Sequence, residues 1–356
     1  MMSRKIDRLV FEKDQVTVNN TAYQVRIHRE YPPGHPIPSC HREDNEEGGF
    51  WEDDGIAGTT PGDVALFPAM ANDLRQQEHQ WEGLIAEYGT DADVLLRSQA
   101  NLADIDHKLY NTELPYSQLA QITIHSTNGK RSYRSSGTLP QGLRYLNTIL
   151  FGTQALVNEF QVNAGVKVLR LPVGLKFHIK NLAIGMQEFP RINPIVDGFP
   201  DQVRFLNNYT WNPQAIIDNE ITLNAKKLVI VNLKNWRSWS GVMKNVKNTK
   251  VDLLCERKCF SEINFERFVK DWVENGRPVG TDYRMEFLWR DIAKKCFEAV
   301  RSSSMEMLRS TDDTIIIPIY HNASFLKLQF MEISREIEEE DNKRYVLQMT
   351  VHAGPQ

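Results

Sequence analysis

Residues 226–239, KKLVIVNLKNWRSW, and 250–287, KVDLLCERKCFSEINFERFVKDWVENGRPVGTDYRMEF, decide how this chain is read. Each opens on a short apolar run, Leu228-Val229-Ile230-Val231 and Val251-Asp252-Leu253-Leu254, whose length and β-branched content predict a strand. Ser261 then stands as a helix N-cap. Phe265, Phe268, Val269, Trp272 and Val273 follow at i, i+3, i+4, i+7 and i+8, one apolar stripe of a helix that Gly276 and Pro278 end. Another strand follows at 283–287. Strand, helix, strand is the order a parallel sheet demands, because a parallel pair needs a crossover of roughly ten or more residues.

Outward from this stretch, 166–171, 177–179, 182–184 and 203–206 also read as strands. Successive strand starts at 203, 228, 251 and 283 lie 25, 23 and 32 residues apart, near the roughly 20 to 29 residue period of leucine-rich solenoids apart from one longer return. The return after Val231 carries Trp236, Trp239, Met243 and Val246 at helical spacing. Runs at 314–320, 325–333 and 345–351 predict an antiparallel meander that caps the last apolar face. The fold class is therefore α/β: an N-terminal β/α region over 1–104, a leucine-rich-repeat-like β-α solenoid over 105–310, and a C-terminal β-meander over 311–356.

The first region begins with short strands around Leu9, Val16 and Val25. Its Pro-, Gly- and acid-rich stretch 32–62 reads as a mobile loop. Met70, Leu74, Trp81, Leu84, Ile85 and Tyr88 then mark an amphipathic helix. Asn128-Gly129, between 121–125 and 130–133, is the dipeptide of a type I′ hairpin turn. Lys130, Arg131 and Arg134 beside it read as a solvated strand edge.

Composition bounds the function. With 42 Lys+Arg against 46 Asp+Glu and a formal charge of -4, the chain lacks the dense positive charge that counterion release rewards, so no nucleic-acid partner is expected. No apolar run approaches the roughly 18 to 20 residues of a membrane span. The N-terminus has no signal-peptide core, and four cysteines are too few for a disulfide framework, which together predict a cytoplasmic or nuclear protein without membrane contact.

No phosphate loop, zinc-helix or nucleophile-elbow motif is present. Cys255 and Cys259 are spaced like half a zinc site but lack a second ligand pair, so no metal or other cofactor is expected. His125 and His178 lie in strand-like runs and read as packing or flanking residues. No catalytic residue is assigned. An enzyme remains the alternative, with a Cys/His site that the fold assembles from Cys40, Cys259 or Cys296. Trp236, Arg237 and Trp239 are the candidate protein-binding residues, because Trp and Arg concentrate in interface hot spots and these sit in a return between repeats.

The two opening segments resemble the F-box-associated type 2 domain abundant in nematode F-box proteins. The residues that carry the likeness are Ser261, Glu262, Ile263, Asn264, Phe265, Phe268, Val269, Lys270, Trp272, Gly276 and Pro278. It is sharpest over about 201–287. The resemblance implies a non-enzymatic module of the target-recognition kind, the substrate-binding part of an adaptor for a cullin ubiquitin ligase, with a protein target and Skp1-like and cullin components as possible partners. The expected Leu-Pro-initiated F-box helices are missing at the N-terminus, and Leu114-Pro115 leads into strand and hairpin sequence instead, so a Skp1-docking F-box is not expected here.

Overall fold

The computed structural model describes residues 4–51, 59–67, 71–88, 90–206, 212–231, 241–255, 260–319, 323–334 and 343–354. They form a mixed α/β protein of two compact units, Met1–His178 with Pro194–Asp197, and Ile179–Asn193 with Gly198–Gln356. Among the described residues, no helix is long and apolar enough to cross a membrane.

In the first unit the predicted early strands are β1 (Arg4–Phe11), β2 (Gln15–Val18) and β3 (Thr21–Glu30), paired antiparallel in sequence. Residues 32–62 are not the continuous loop that their composition suggests. They include helix α1 (Ser39–Glu46), closed by Gly48 and Gly49, both at positive φ. A Cβ on Gly49 would lie 2.5 Å from the carbonyl oxygen of Ile27, so only glycine lets the chain return against β3 there. A short strand β4 (Val64–Ala65) leads to two helices, α2 (Ala71–Tyr88) and α3 (Ala92–Tyr110), which pack on each other. The expected boundary at 104–105 thus falls within α3.

The hairpin is β5 (Ser117–Ser126) and β6 (Gly129–Ser136), with β5 beside β3. Its turn differs from type I′, which needs positive φ at both central residues. Ser126 pairs with Gly129, so Thr127 and Asn128 form the turn, and of these four only Gly129 has a positive φ. Helix α4 (Leu139–Phe151) crosses close to β3 and β5, where a Cβ on Gly142 would lie 3.0 Å from that of Ala120. Strand β7 (Gln154–Val162) pairs parallel with β1, giving the order β6-β5-β3-β2-β1-β7. The predicted strand at 166–171 shrinks to β8 (Val168–Leu169), which pairs with β4 and stands apart from the parallel ladder.

The runs at 177–179 and 182–184 are one strand, β9 (Lys176–Ile184), and the division between units falls inside it. A short β10 (Val196–Asp197) adds to its first half. In the second unit, β9, β11 (Gln202–Phe205), β12 (Lys227–Val231), β13 (Lys250–Cys255) and β14 (Asp282–Phe287) are all parallel neighbours in that order. Short helices α5 (Pro213–Ile217) and α6 (Glu220–Asn224) fill one return, and α7 (Glu262–Asn275) fills the last. Helix α8 (Arg290–Arg301) packs on the sheet formed by β14 and the meander. That meander is β15 (Arg309–Ser310), β16 (Thr314–Ile319), β17 (Ser324–Ser334) and β18 (Lys343–Ala353), with β18 antiparallel to β14.

Helix α7 has the predicted cap, with Ser261 Oγ accepting from the backbone N–H of Asn264 at 3.3 Å. Its stripe Phe265, Phe268, Val269, Trp272 and Val273 is wholly buried. The Trp272 and Tyr283 rings meet edge to face with centroids 4.7 Å apart, tying the helix to β14.

Candidate functional site

The parallel strands of the second unit bury one row of side chains and present the other. Val203, Phe205, Leu228, Ile230, Val251, Leu253, Tyr283 and Met285 are each 0% exposed. Between them stand the charged Arg204, Asp252 and Arg284, with the buried Val229 in the same row. The register sets Arg204 beside Val229, Val229 beside Asp252, Asp252 beside Arg284, and Arg284 beside Gln348. Because side chains alternate across a strand, this polar row lies on the sheet face opposite the buried one.

Part of that charge is neutralised within the face. Lys227 Nζ lies 2.6 Å from Asp252 Oδ2, and Gln348 Nε2 donates to Asp282 Oδ1 at 2.8 Å. Arg284 Nε stands 3.5 Å from Glu286 Oε1. Arg204 and Lys250 are exposed and form no ion pair among the described residues. Polar side chains with two uncommitted cations can meet a folded partner through hydrogen bonds and attract carboxylates. Among the described residues the row brings no nucleophile and base together in register.

The first unit holds a cleft of about 490 Å³ between the β1–β2 turn, β3, the segment after α1, and the α2–α3 pair. Arg26 and Arg29 rise from β3 into paired carboxylates. Arg26 Nε and Nη2 donate to Asp14 Oδ2 at 2.9 and 2.7 Å. Arg29, 5% exposed, donates to Asp44 at 2.8 Å, to Asp104 at 3.2 Å and to the Tyr116 hydroxyl at 3.3 Å. Its guanidinium carbon also sits 3.3 Å from the centre of the Phe50 ring. Tyr116 in turn donates to Asp104. The half-buried indoles of Trp51 and Trp81, with Gln77 and Asn101, complete the rim.

Behind the cleft the fold brings Cys40 and His41 beside Tyr31. His41 Nδ1 and Tyr31 Oη are 2.8 Å apart. Burial, helped by the nearby Arg29 charge, pushes the His41 pKa down to about 4, against the opposing pull of Asp104 and Asp44. Burial pushes the Tyr31 phenol up to about 12 and raises the Cys40 thiol as well. A nucleophilic cysteine needs its thiolate favoured, and here the protein favours the thiol. His41 is not among the described residues that line the cleft.

The other sequence candidates fall elsewhere. Trp236, Arg237, Trp239 and Cys259 lie outside the described residues. Cys255 and Cys296 are buried. His125 is half-buried on β5 and His178 is exposed on β9. Among the described residues no three His, Cys, Asp or Glu side chains gather as a metal site. The polar row from Arg204 to Gln348 was readable from strand alternation once the strands were placed. The cleft was not readable, since Asp14, Arg29, Asp44 and Asp104 are far apart in sequence.

Comparison with curated proteins returned no match, and neither did comparison with solved structures. Residues 138–288, from the start of α4 to the end of β14 and less than half of the chain, match the model of a family described as a domain of unknown function, DUF3557.

Proposed function

We propose that this protein is a non-enzymatic protein-recognition module whose open β-face in the second unit docks a target protein. The reading rests on one observation: the parallel strands β11 to β14 bury one set of side chains completely, while the alternate set carries Arg204, Lys227, Lys250, Asp252 and Arg284, all at least partly exposed, around a buried Val229. A leucine-rich-repeat-like solenoid works in this way, with helical returns behind the sheet and a strand face in front. On this reading 105–310 is such a unit, the meander is its cap, and Trp236, Arg237 and Trp239, which follow β12 in the sequence, are the candidate protein-binding residues. The resemblance to nematode F-box-associated domains supports a role as the substrate-selecting part of a cullin ligase adaptor, in cytoplasm or nucleus, with the Skp1 contact made by another chain or segment. Arg204 and Lys250 favour a target that presents carboxylates.

The test is affinity capture from nematode extract with the full chain and with the Arg204→Glu/Lys250→Glu variant, read by mass spectrometry and then by binding of each captured protein. A target that binds the variant at least about tenfold more weakly, at unchanged melting temperature, is the expected result. A Skp1-like subunit among the captured chains supports the ligase role. Equal binding to both chains would remove the open face as the docking site.

The buried Cys40, His41 and Tyr31 group is the nearest approach to the alternative, an enzyme with a fold-assembled Cys/His site. Burial that raises the Cys40 thiol pKa disfavours the thiolate such a site would need, which favours the recognition reading.

A further inference from the structure

The cleft of the first unit is unusual in what it leaves unsatisfied. Small-ligand pockets are ordinarily apolar with a few polar anchors, whereas charged and amide side chains dominate this wall. Yet most of the charge is already spent. Arg26 is held by Asp14 at 2.7 Å, and Arg29 by Asp44 at 2.8 Å and Asp104 at 3.2 Å. A charged ligand would have to compete with these pairs and meets only Lys13 unpaired among the described residues.

Neutral hydrogen-bonding capacity is what remains. The contacts to Asp14 all fall on Oδ2 and that to Asp44 falls on Oδ2, which leaves an oxygen of each carboxylate open among the described residues. The Gln77 amide likewise has no partner there, and Asn101 uses only its Nδ2, to the Arg97 carbonyl at 2.8 Å. Open carboxylate oxygens accept from hydroxyls, and side-chain amides both donate and accept. Beside them stand the half-buried indoles of Trp51 and Trp81, flat apolar surfaces with polar rims, the Trp81 ring having the Arg97 guanidinium carbon 6.0 Å from its centre and so at most one face open to a ligand. A ligand that suits such a wall has hydroxyls in its plane, an apolar C–H face and no net charge.

We propose that this cleft binds a neutral saccharide, seated against Trp81 with its hydroxyls on Asp14, Asp44, Gln77 and Asn101. The site is independent of the open face in the second unit. Binding needs no rearrangement of the arginine pairs, which hold the carboxylates in place for it.

The test is saturation-transfer NMR and calorimetric titration of the full chain with chitotriose, cellotriose and mannotriose, with hexaglutamate and hexalysine as charged probes. At least one trisaccharide should saturate with a Kd of about 1 mM or tighter. Both Trp81→Ala and Gln77→Ala should weaken it by about tenfold. Gln77 is exposed, so its variant folds whether or not the indole is structural. The proposal is overturned if none of the three sugars saturates, if both variants bind as the wild type does, or if a charged peptide binds the cleft in their place.

Discussion

Asp63 shows how much one side chain can hold in this protein. Its side chain is fully buried, accepts from the backbone N–H of Thr60 at 2.9 Å, and is shared by two guanidiniums, Arg144 at 2.8 Å and Arg170 at 2.9 Å. Burial alone would raise its pKa, but the Thr60 bond and the two arginines outweigh burial and bring it below the ordinary carboxylate range. The backbone feeds this arrangement through Gly62 at φ +97, where a Cβ would meet the Leu171 carbonyl oxygen at 2.5 Å. Removing one partner of a buried ionic group costs far more than the group's net contribution, because the other charge stays in low dielectric. Asp63→Ala should therefore lower unfolding free energy by about 3 to 5 kcal/mol. Arg144→Met should cost markedly less, since Arg144 keeps 28% of its side chain in water. Urea denaturation of both variants measures the contrast, and equal losses would show that the carboxylate is not the centre of the network.

At the scale of elements, α7 is the plainest case of sequence dictating structure. Phe268 is 2% exposed and touches both Trp272 and Tyr283, with ring centroids 5.8 and 6.4 Å away. Phe268→Ala should cost about 3 to 5 kcal/mol, and Ser261→Ala about 1 kcal/mol through the lost cap, both readable by thermal melts. A loss of partner binding at Phe268→Ala with unchanged melting would mean that the stripe faces outward. The same period and cap were present at other helices that the sequence reading does not place. Leu139, Leu143, Leu146 and Leu150 share one face of α4, and the backbone N–H of Thr138 reaches Gln141 Oε1 at 3.0 Å. Helix α8 was harder to see, because its buried face is built from Ala293, Cys296, Phe297 and Val300 amid charge, and Trp289 caps it without a side-chain bond. Short apolar and β-rich runs gave the parallel strands and the meander their positions. Which strands pair is another matter: β1 with β7 joins residues some 150 positions apart, and nothing local in either strand encodes that register. The cleft fails to show in the sequence for the same reason.

For the whole molecule, the two units differ in the buried groups that acid can reach. The first unit holds His41, 2% exposed and with its pKa pushed down to about 4, and Asp63, held below its ordinary range. The second holds Glu188, 5% exposed, whose carboxyl burial pushes up. These act with opposite sign. A histidine with a depressed native pKa leaves the unfolded chain binding more protons, so its contribution is complete above about pH 6.5 and is lost as pH falls toward 4. Asp63 adds a further loss below the ordinary carboxylate pKa. Glu188 prefers its neutral form in the native state, so its contribution is complete in acid and is lost as pH rises through its raised native pKa. Acidification from pH 7 to about 4.5 should therefore weaken the first unit by up to about 3 kcal/mol at His41 alone, with no such loss from Glu188 in the second. Hydrogen exchange corrected for intrinsic rates reads both units in one experiment. Protection of β3 and β5 should fall relative to that of β13 and β14, and His41→Gln should flatten the difference. A parallel fall in both units, or a pH slope that survives the substitution, would show that the buried histidine does not govern acid stability.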